Sequence, residues 1–395
     1  MTALVRRLHV DSRYRQVAAC AGLLLLSFAL RLPFFLHPWD GSLSDTLDFL
    51  RAIHFLAGQA TGPEAPFRLQ YPVYPVLSLA LSPVLASFIP AVIAPVIIFL
   101  AAWTIFRRML PAILAGIVAA VSPPLLQYSG SRLYDSVFIL ATAVVALRLG
   151  QLVSKPTWSN AAFAGASCGI AWATRGQGVL YLAAIPYVLW KVAPSRFWRL
   201  TWIALVSFLA FGALPKLAML LIVQHRGVQI ENKACMKQLI EDGVLYSKGK
   251  EYRDLITYAP DYRNPCDDSW GDFIRKHKVS YPRSVVANAS HMLYGTIASA
   301  MNPFIVIAFP LSIGIYLMAS SSRVCLGALG LIAAGLIVAA LLIQLQDRYL
   351  FPLVVPMSII TAAGLNFLFD RAKTIYWTLL SVILLAGLQT CYIAL

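Results

Sequence analysis

The stretch PAVIAPVIIFLAAWTIFRRMLPAILAGIVAAVSPPLLQY (90–128) decides the class of fold. It holds two apolar runs, 90–106 and 110–128, each close to the roughly 20 residues a bilayer-crossing helix requires. Between them stand Arg107, Arg108 and Met109, enough for a basic turn and nothing more. Two apolar segments hinged on an arginine pair read as a helical hairpin in a membrane, with the arginines on the cytoplasmic side.

The pattern repeats outward from this hairpin. Further apolar runs occupy 17–36, 136–152, 160–174, 178–192, 200–223, 302–319, 324–345, 350–369 and 375–395. The expectation is an all-α polytopic membrane protein with about 11 transmembrane helices, in a range of 10–13. Composition agrees: of 395 residues, 59% are hydrophobic and 12% charged, against about 25% charged in an average soluble domain. Neither G-x-G-x-x-G nor G-x-x-x-x-G-K-[ST] occurs, which also argues against a soluble nucleotide-binding enzyme.

The formal charge of +15 is explained by topology. With the N-terminus cytoplasmic, the inner segments carry Arg6, Arg7, Arg13 and Arg15, then Arg107 and Arg108, then Lys155. Lys191, Arg196, Arg199, Arg323, Arg371 and Lys373 follow, while of the 17 acidic residues only Asp11 and Asp370 fall inside. That is the positive-inside pattern, so no nucleic-acid partner is expected. Residues 71–89 are apolar enough to cross but contain Pro72, Pro75 and Pro83, and a crossing there would invert every later loop. They are expected to form a broken, surface-lying or re-entrant element on the outer face. The basic start followed by an apolar run resembles a signal peptide, but the run is long and no A-x-A site follows, so the first helix is expected to be retained.

Four parts follow: a cytoplasmic N-terminus (1–16), a seven-helix membrane module (17–223) with outer loop 37–89, a large outer loop (224–290), and a C-terminal four-helix module (291–395). The large loop holds eleven Lys or Arg and nine Asp or Glu. Cys235 and Cys266, alone of the six cysteines, lie outside the apolar runs. They read either as a disulfide, which an oxidising compartment permits, or as two free thiols. No internal repeat is visible, which argues against a repeat-built transporter.

Ionisable groups beside membrane segments are costly and point to function by default. At the outer ends these are Asp40, Asp45 and Asp48, Arg132 and Asp135, Arg175, and Asp347 with Arg348. Carboxylates and arginines on one face suit a reaction on an anionic lipid headgroup. Arginines would hold phosphate oxygens, and a carboxylate would take a proton from a nucleophile. Plainer readings stand beside each. Arg132 and Asp135, three apart, pair with each other; Asp347 and Arg348 cap helix ends; Arg175 snorkels to the interface. His37 and His54 read as interfacial, since no close-spaced metal-ligand set accompanies them. Gly165 and Gly169 form a G-x-x-x-G that reads as helix packing.

Four stretches resemble one family. They are LRLPFFLHPWDGSLSDTLDFLRAIHFLAGQ (30–59), YPVYPVLSLAL (71–81), SPPLLQYSGSRLYDSVF (122–138) and DRYLFPLVVP (347–356). In this order they resemble the membrane-embedded glycosyltransferases of the GT-C superfamily, in particular the bacterial branch similar to protein O-mannosyltransferases and lipid A aminoarabinose transferases. The seven-helix module followed by a large outer loop is similar to that family's layout.

The resemblance implies transfer of one sugar from a polyprenyl-phosphate carrier to a hydroxyl of a glycan, lipid or protein acceptor, on the periplasmic face of the inner membrane. It also implies Asp45 as general base, Asp48 as an accessory acid and Asp40 as the fallback base. Arg348 is the first choice for the lipid phosphate, followed by Arg132 and Arg175. The family's frequent Asp-Glu pair appears here as Asp45-Thr46. The leaving lipid phosphate already carries its charge, so no metal and no other cofactor is expected. Two other classes are weighed: a transporter or lipid flippase, and an O-antigen polymerase or ligase that would depend on a loop histidine such as His277 or His291.

Overall fold

The computed structural model describes residues 2–38, 43–59, 64–65, 67–225, 229–230, 323–343 and 350–393. Nearly all of the large outer loop (226–228 and 231–290), the expected span at 302–319, and Asp40, Cys235, Cys266, His277, His291, Asp347 and Arg348 lie outside the described residues.

The described chain is helical. Helix α1 (Thr2–Leu36) leads to the short α2 (Leu43–Leu56) and α3 (Val73–Leu81). Then come α4 (Pro83–Phe106), α5 (Met109–Ala120), α6 (Pro123–Gln127), α7 (Asp135–Ser154) and α8 (Trp158–Thr174). A 3-10 stretch (Gly176–Ala183) runs into α9 (Ala184–Val192). Next, α10 (Phe197–Phe208) passes through a π-helical turn (Leu209–Ala213) into α11 (Leu214–His225). After the large loop come α12 (Arg323–Ile343), α13 (Val354–Arg371) and α14 (Lys373–Ile393). The only strands among the described residues are two-residue segments, β1 (Glu64–Ala65) and β2 (Gln229–Ile230), paired in parallel.

Among the described residues, five helices are long and apolar enough to cross a membrane: Tyr14–Leu36, Pro83–Phe106, Asp135–Ser154, Pro194–Ile222 and Phe351–Arg371. A sixth crossing forms if Met109–Ala120 and Pro123–Gly130, bent by 55°, count as one. Helix α8, at 17 residues, is shorter. The Gly176–Val192 rod begins with eight residues of 3-10 helix, whose rise of about 2 Å per residue lets the whole rod reach about 30 Å.

The boundary of one span differs from the sequence reading. The run placed at 90–106 begins seven residues earlier, at Pro83. Ser82 takes a positive φ of 88° and ends α3, and its hydroxyl caps α4 by accepting from the Leu85 amide. Proline at the first helical position needs no N–H there, so Pro83 starts a helix rather than breaking one. The proline-rich element is therefore α3 plus the first turns of α4, and the Tyr74 hydroxyl, donating to the Pro83 carbonyl at 3.0 Å, folds α3 back onto α4.

The two ends of the bundle separate by partners. At one end, Arg107 after α4 donates to the Ser154 hydroxyl of α7, and Arg108 meets Asp370 of α13 at 3.9 Å. At the other, a Cβ on Gly130 would collide with the Phe34 backbone, Ser87 donates to the Leu133 carbonyl at 2.7 Å, and Tyr128 packs on Phe351. The arginine pair and the start of α7, where Asp135 stands, thus occupy opposite ends. Gly165 and Gly169 do pack helices: a Cβ at either would strike the α10 backbone at Ala204 or Phe208.

Candidate active site

The site is built on an aromatic floor. Phe49 of α2 is fully buried and packs edge-on against Tyr74 of α3 at 5.0 Å and against Tyr134, just before α7, at 4.9 Å. Tyr71 stacks near Tyr134 at 6.4 Å. Such ring contacts contribute beyond their buried area, so α2, α3 and the start of α7 hold one another in place. Burial pushes the Tyr74 phenol well above its ordinary range, so it stays a neutral donor.

Helix α2 carries Asp45 and Asp48. Positions four apart share a helix face, so position 45 stands one turn before Phe49 on a stripe that continues to Ala52, buried like Phe49. Position 48 lies on the neighbouring stripe with Ala52 and Phe55. Ala52 and Phe55 form a second small core with Leu69 and with Met219 of α11. The short helix bearing both acids is thereby anchored on α3, the start of α7 and α11.

Asp135 pairs not with Arg132, three residues before it, but with Arg175 at the end of α8. The Nη1 of Arg175 donates to Oδ1 at 2.7 Å, and both side chains are buried. The guanidinium also lies over the rings of Tyr134 at 4.9 Å and Phe138 at 5.7 Å. Behind this pair Phe138 stacks on Tyr181, whose hydroxyl meets Thr142 at 2.9 Å. A buried ion pair tolerates its loss of hydration only with good geometry and extra contacts; here a 2.7 Å bond and two rings over the guanidinium supply them, while Oδ2 of Asp135 has no hydrogen-bond partner. Arg132 is half-buried in the turn before α7. His37 and His54 are exposed.

Two cations inside the apolar runs escaped the sequence reading. Arg31 is fully buried near the C-terminal end of α1 and donates to the Ser27 carbonyl at 3.1 Å. Lys216 of α11 follows the π-helical turn, its ammonium 4.7 Å from the ring centres of both Tyr71 and Trp172. The available signal was the lone charge in a membrane run, the same criterion applied at the loop ends.

The four stretches quoted from the sequence converge here. Phe34 meets Gly130, Phe49 meets Tyr74 and Tyr134, and Phe351, three residues beyond Arg348, meets Tyr128 at 4.6 Å. Segments more than two hundred residues apart share one end of the bundle.

Residues 70–218 match the family model described as dolichyl-phosphate-mannose-protein mannosyltransferase. The fold is similar to that of the archaeal oligosaccharyltransferase AglB from Archaeoglobus fulgidus, solved in complex with an inhibitory peptide and a dolichol-phosphate. That match has a TM-score of 0.53 and 13% identity, over 97% of this chain and 55% of that one. It is also similar to ArnT from Cupriavidus metallidurans bound to undecaprenyl phosphate, with a TM-score of 0.50 and 14% identity over 92% of this chain and 61% of that one. The chain thus spans a little over half the length of these solved proteins. A comparison with curated proteins finds no match. Over residues 70–218 the chain is thus similar to this mannosyltransferase family, and its fold is similar to that of these solved proteins.

Proposed function

We propose that the chain transfers a single hexosyl or pentosyl unit from a polyprenyl-phosphate-linked donor to an acceptor hydroxyl, at the outer, periplasmic end of the bundle where the four stretches meet. The observation that carries this reading is that meeting itself: the acid-bearing α2 is anchored on the elements of the matched segment. The solved proteins of similar fold hold dolichol-phosphate and undecaprenyl phosphate, the class of lipid such a donor would leave behind.

In this reading Asp45 takes the proton from the acceptor hydroxyl as its oxygen attacks the anomeric carbon. The carbon–oxygen bond to the lipid phosphate breaks, and the phosphate departs with both bonding electrons. Asp48 is the accessory acid and Asp40 the fallback base. Cations must hold the departing charge; Arg348 and Arg132 are assigned to it, and Lys216 is a further cation at this end. Arg175, committed to Asp135, becomes a positioning residue. The leaving group carries its own charge, so the chemistry needs no metal.

Mass spectrometry of membrane lipids from cells making wild type or Asp45→Asn at equal protein level tests this. Accumulation of one polyprenyl-phosphate sugar in the variant is the expected result, and its mass names the sugar. Unchanged lipid-linked sugars would remove Asp45 from the reaction and favour a transporter or polymerase.

A further inference from the structure

At the end of the bundle opposite the site, the starts of α8 and α10 and the end of α9 meet. Four tryptophans stand out there: Trp158, Trp190, Trp198 and Trp202 are 50%, 61%, 72% and 61% exposed. Lys155, Lys191, Arg196 and Arg199 are exposed beside them. From Ser136 to Ile230 the chain contains no Asp or Glu. Among the described residues these four cations form no ion pair. Arg199 instead lies over the Trp158 ring at 3.8 Å, joining α10 to α8, and Lys191 lies over Trp190 at 4.1 Å.

The other arginine pair at this end behaves differently. Arg107 is bonded to the Ser154 hydroxyl and Arg108 has an acidic partner in Asp370, 3.9 Å away. Arg196 and Arg199 have no acidic partner among the described residues. From the same place an exposed apolar stripe climbs α10: Trp198, Trp202, Val206 and Leu209 succeed one another at helical spacing. Cations at one end of a stripe and hydrocarbon along it match a molecule with an anionic head and long chains. Tryptophan is suited to the level where the two meet.

We propose that this patch binds the headgroup of an anionic phospholipid of the inner leaflet. Arg196 and Arg199 grip its phosphate oxygens through paired N–H donors, Lys191 adds a point charge, and Trp198 with Trp202 flanks the first carbons of the acyl chains. The site is separate from the catalytic end and independent of its chemistry.

The test is native mass spectrometry of the purified full chain with equimolar phosphatidylglycerol and phosphatidylcholine of identical acyl chains. Wild type is expected to retain phosphatidylglycerol preferentially. Replacing both Arg196→Gln and Arg199→Gln should abolish that preference, each lost cation costing about five-fold in retention. The charge-matched pair Arg107→Gln with Arg108→Gln should keep it. Should the first pair fail to insert, Trp158→Leu with Trp198→Leu leaves every charge in place and is expected to weaken the preference as well. Equal retention of both lipids by wild type would overturn the proposal. So would equal loss from either arginine pair, or a preference untouched by every patch variant.

Discussion

Arg175 and Asp135 lie 40 residues apart in sequence and 2.7 Å apart in space, locking the end of α8 to the start of α7 directly behind the aromatic floor. A charge left alone in so buried a place is expensive, whereas removing both partners is much less so.

Arg175→Met should therefore cost about 3–5 kcal/mol by stranding the carboxylate. Asp135→Leu should cost as much by stranding the guanidinium. The double variant should lose less than the sum of the two, a coupling readable from melting in detergent. Additive losses would mean the two residues do not act as a pair.

Phe49→Ala removes the ring that seats α2. Truncating a buried phenylalanine costs about 3–5 kcal/mol where it packs. Because α2 is a short outer element, the loss should appear as protease cleavage within 43–59 while the membrane bundle stays folded. Transfer should fall alongside cleavage, since Asp45 rides on the same helix. Full activity with a cleavable α2 would separate the helix from the chemistry.

Gly165→Leu should destabilise the bundle by at least about 1–3 kcal/mol, because the new side chain meets the Ala204 carbonyl oxygen with no room to shift. Gly22→Leu, with nothing within 4 Å of its Cβ, should stay within about 0.5 kcal/mol. Paired thermal melts check both.

Much of this was legible in the sequence, and the reasons are physical. Apolar runs of bilayer length dictate helices, because a helix satisfies every backbone group of such a run within the run itself. The G-x-x-x-G at Gly165 is legible for the same reason: only small residues let two helix backbones touch. Side-chain partnership was not legible. Asp135 has a local candidate in Arg132, and nothing in the sequence says that a loop 40 residues on supplies the better one. The start of α4 was misplaced because Pro83 reads as a breaker until Ser82 is seen capping the helix. Arg31 and Lys216 were hidden by the length of the runs around them, although each is a lone cation in its run. The convergence of four distant stretches belongs to packing, which order along the chain does not reveal.

Chelation offers a further check on the chemistry. With the charge of the leaving phosphate met by arginine and lysine, transfer should persist undiminished in excess EDTA. Loss of activity on chelation, restored by added Mg2+ or Mn2+, would put a metal where these cations are assigned.

The central claim is sugar transfer with Asp45 as base, and the most direct measurement is turnover by the purified chain in liposomes. A panel of polyprenyl-phosphate hexoses and pentoses would be offered with extracted membrane lipids and glycans as acceptors, and release of free polyprenyl phosphate followed. Wild type should turn over one of these donors, and Asp45→Asn should be slower by about 10²–10⁴-fold, the usual contribution of a general base. A wild-type chain that turns over none of them, or an Asp45→Asn chain as fast as wild type, would contradict the claim.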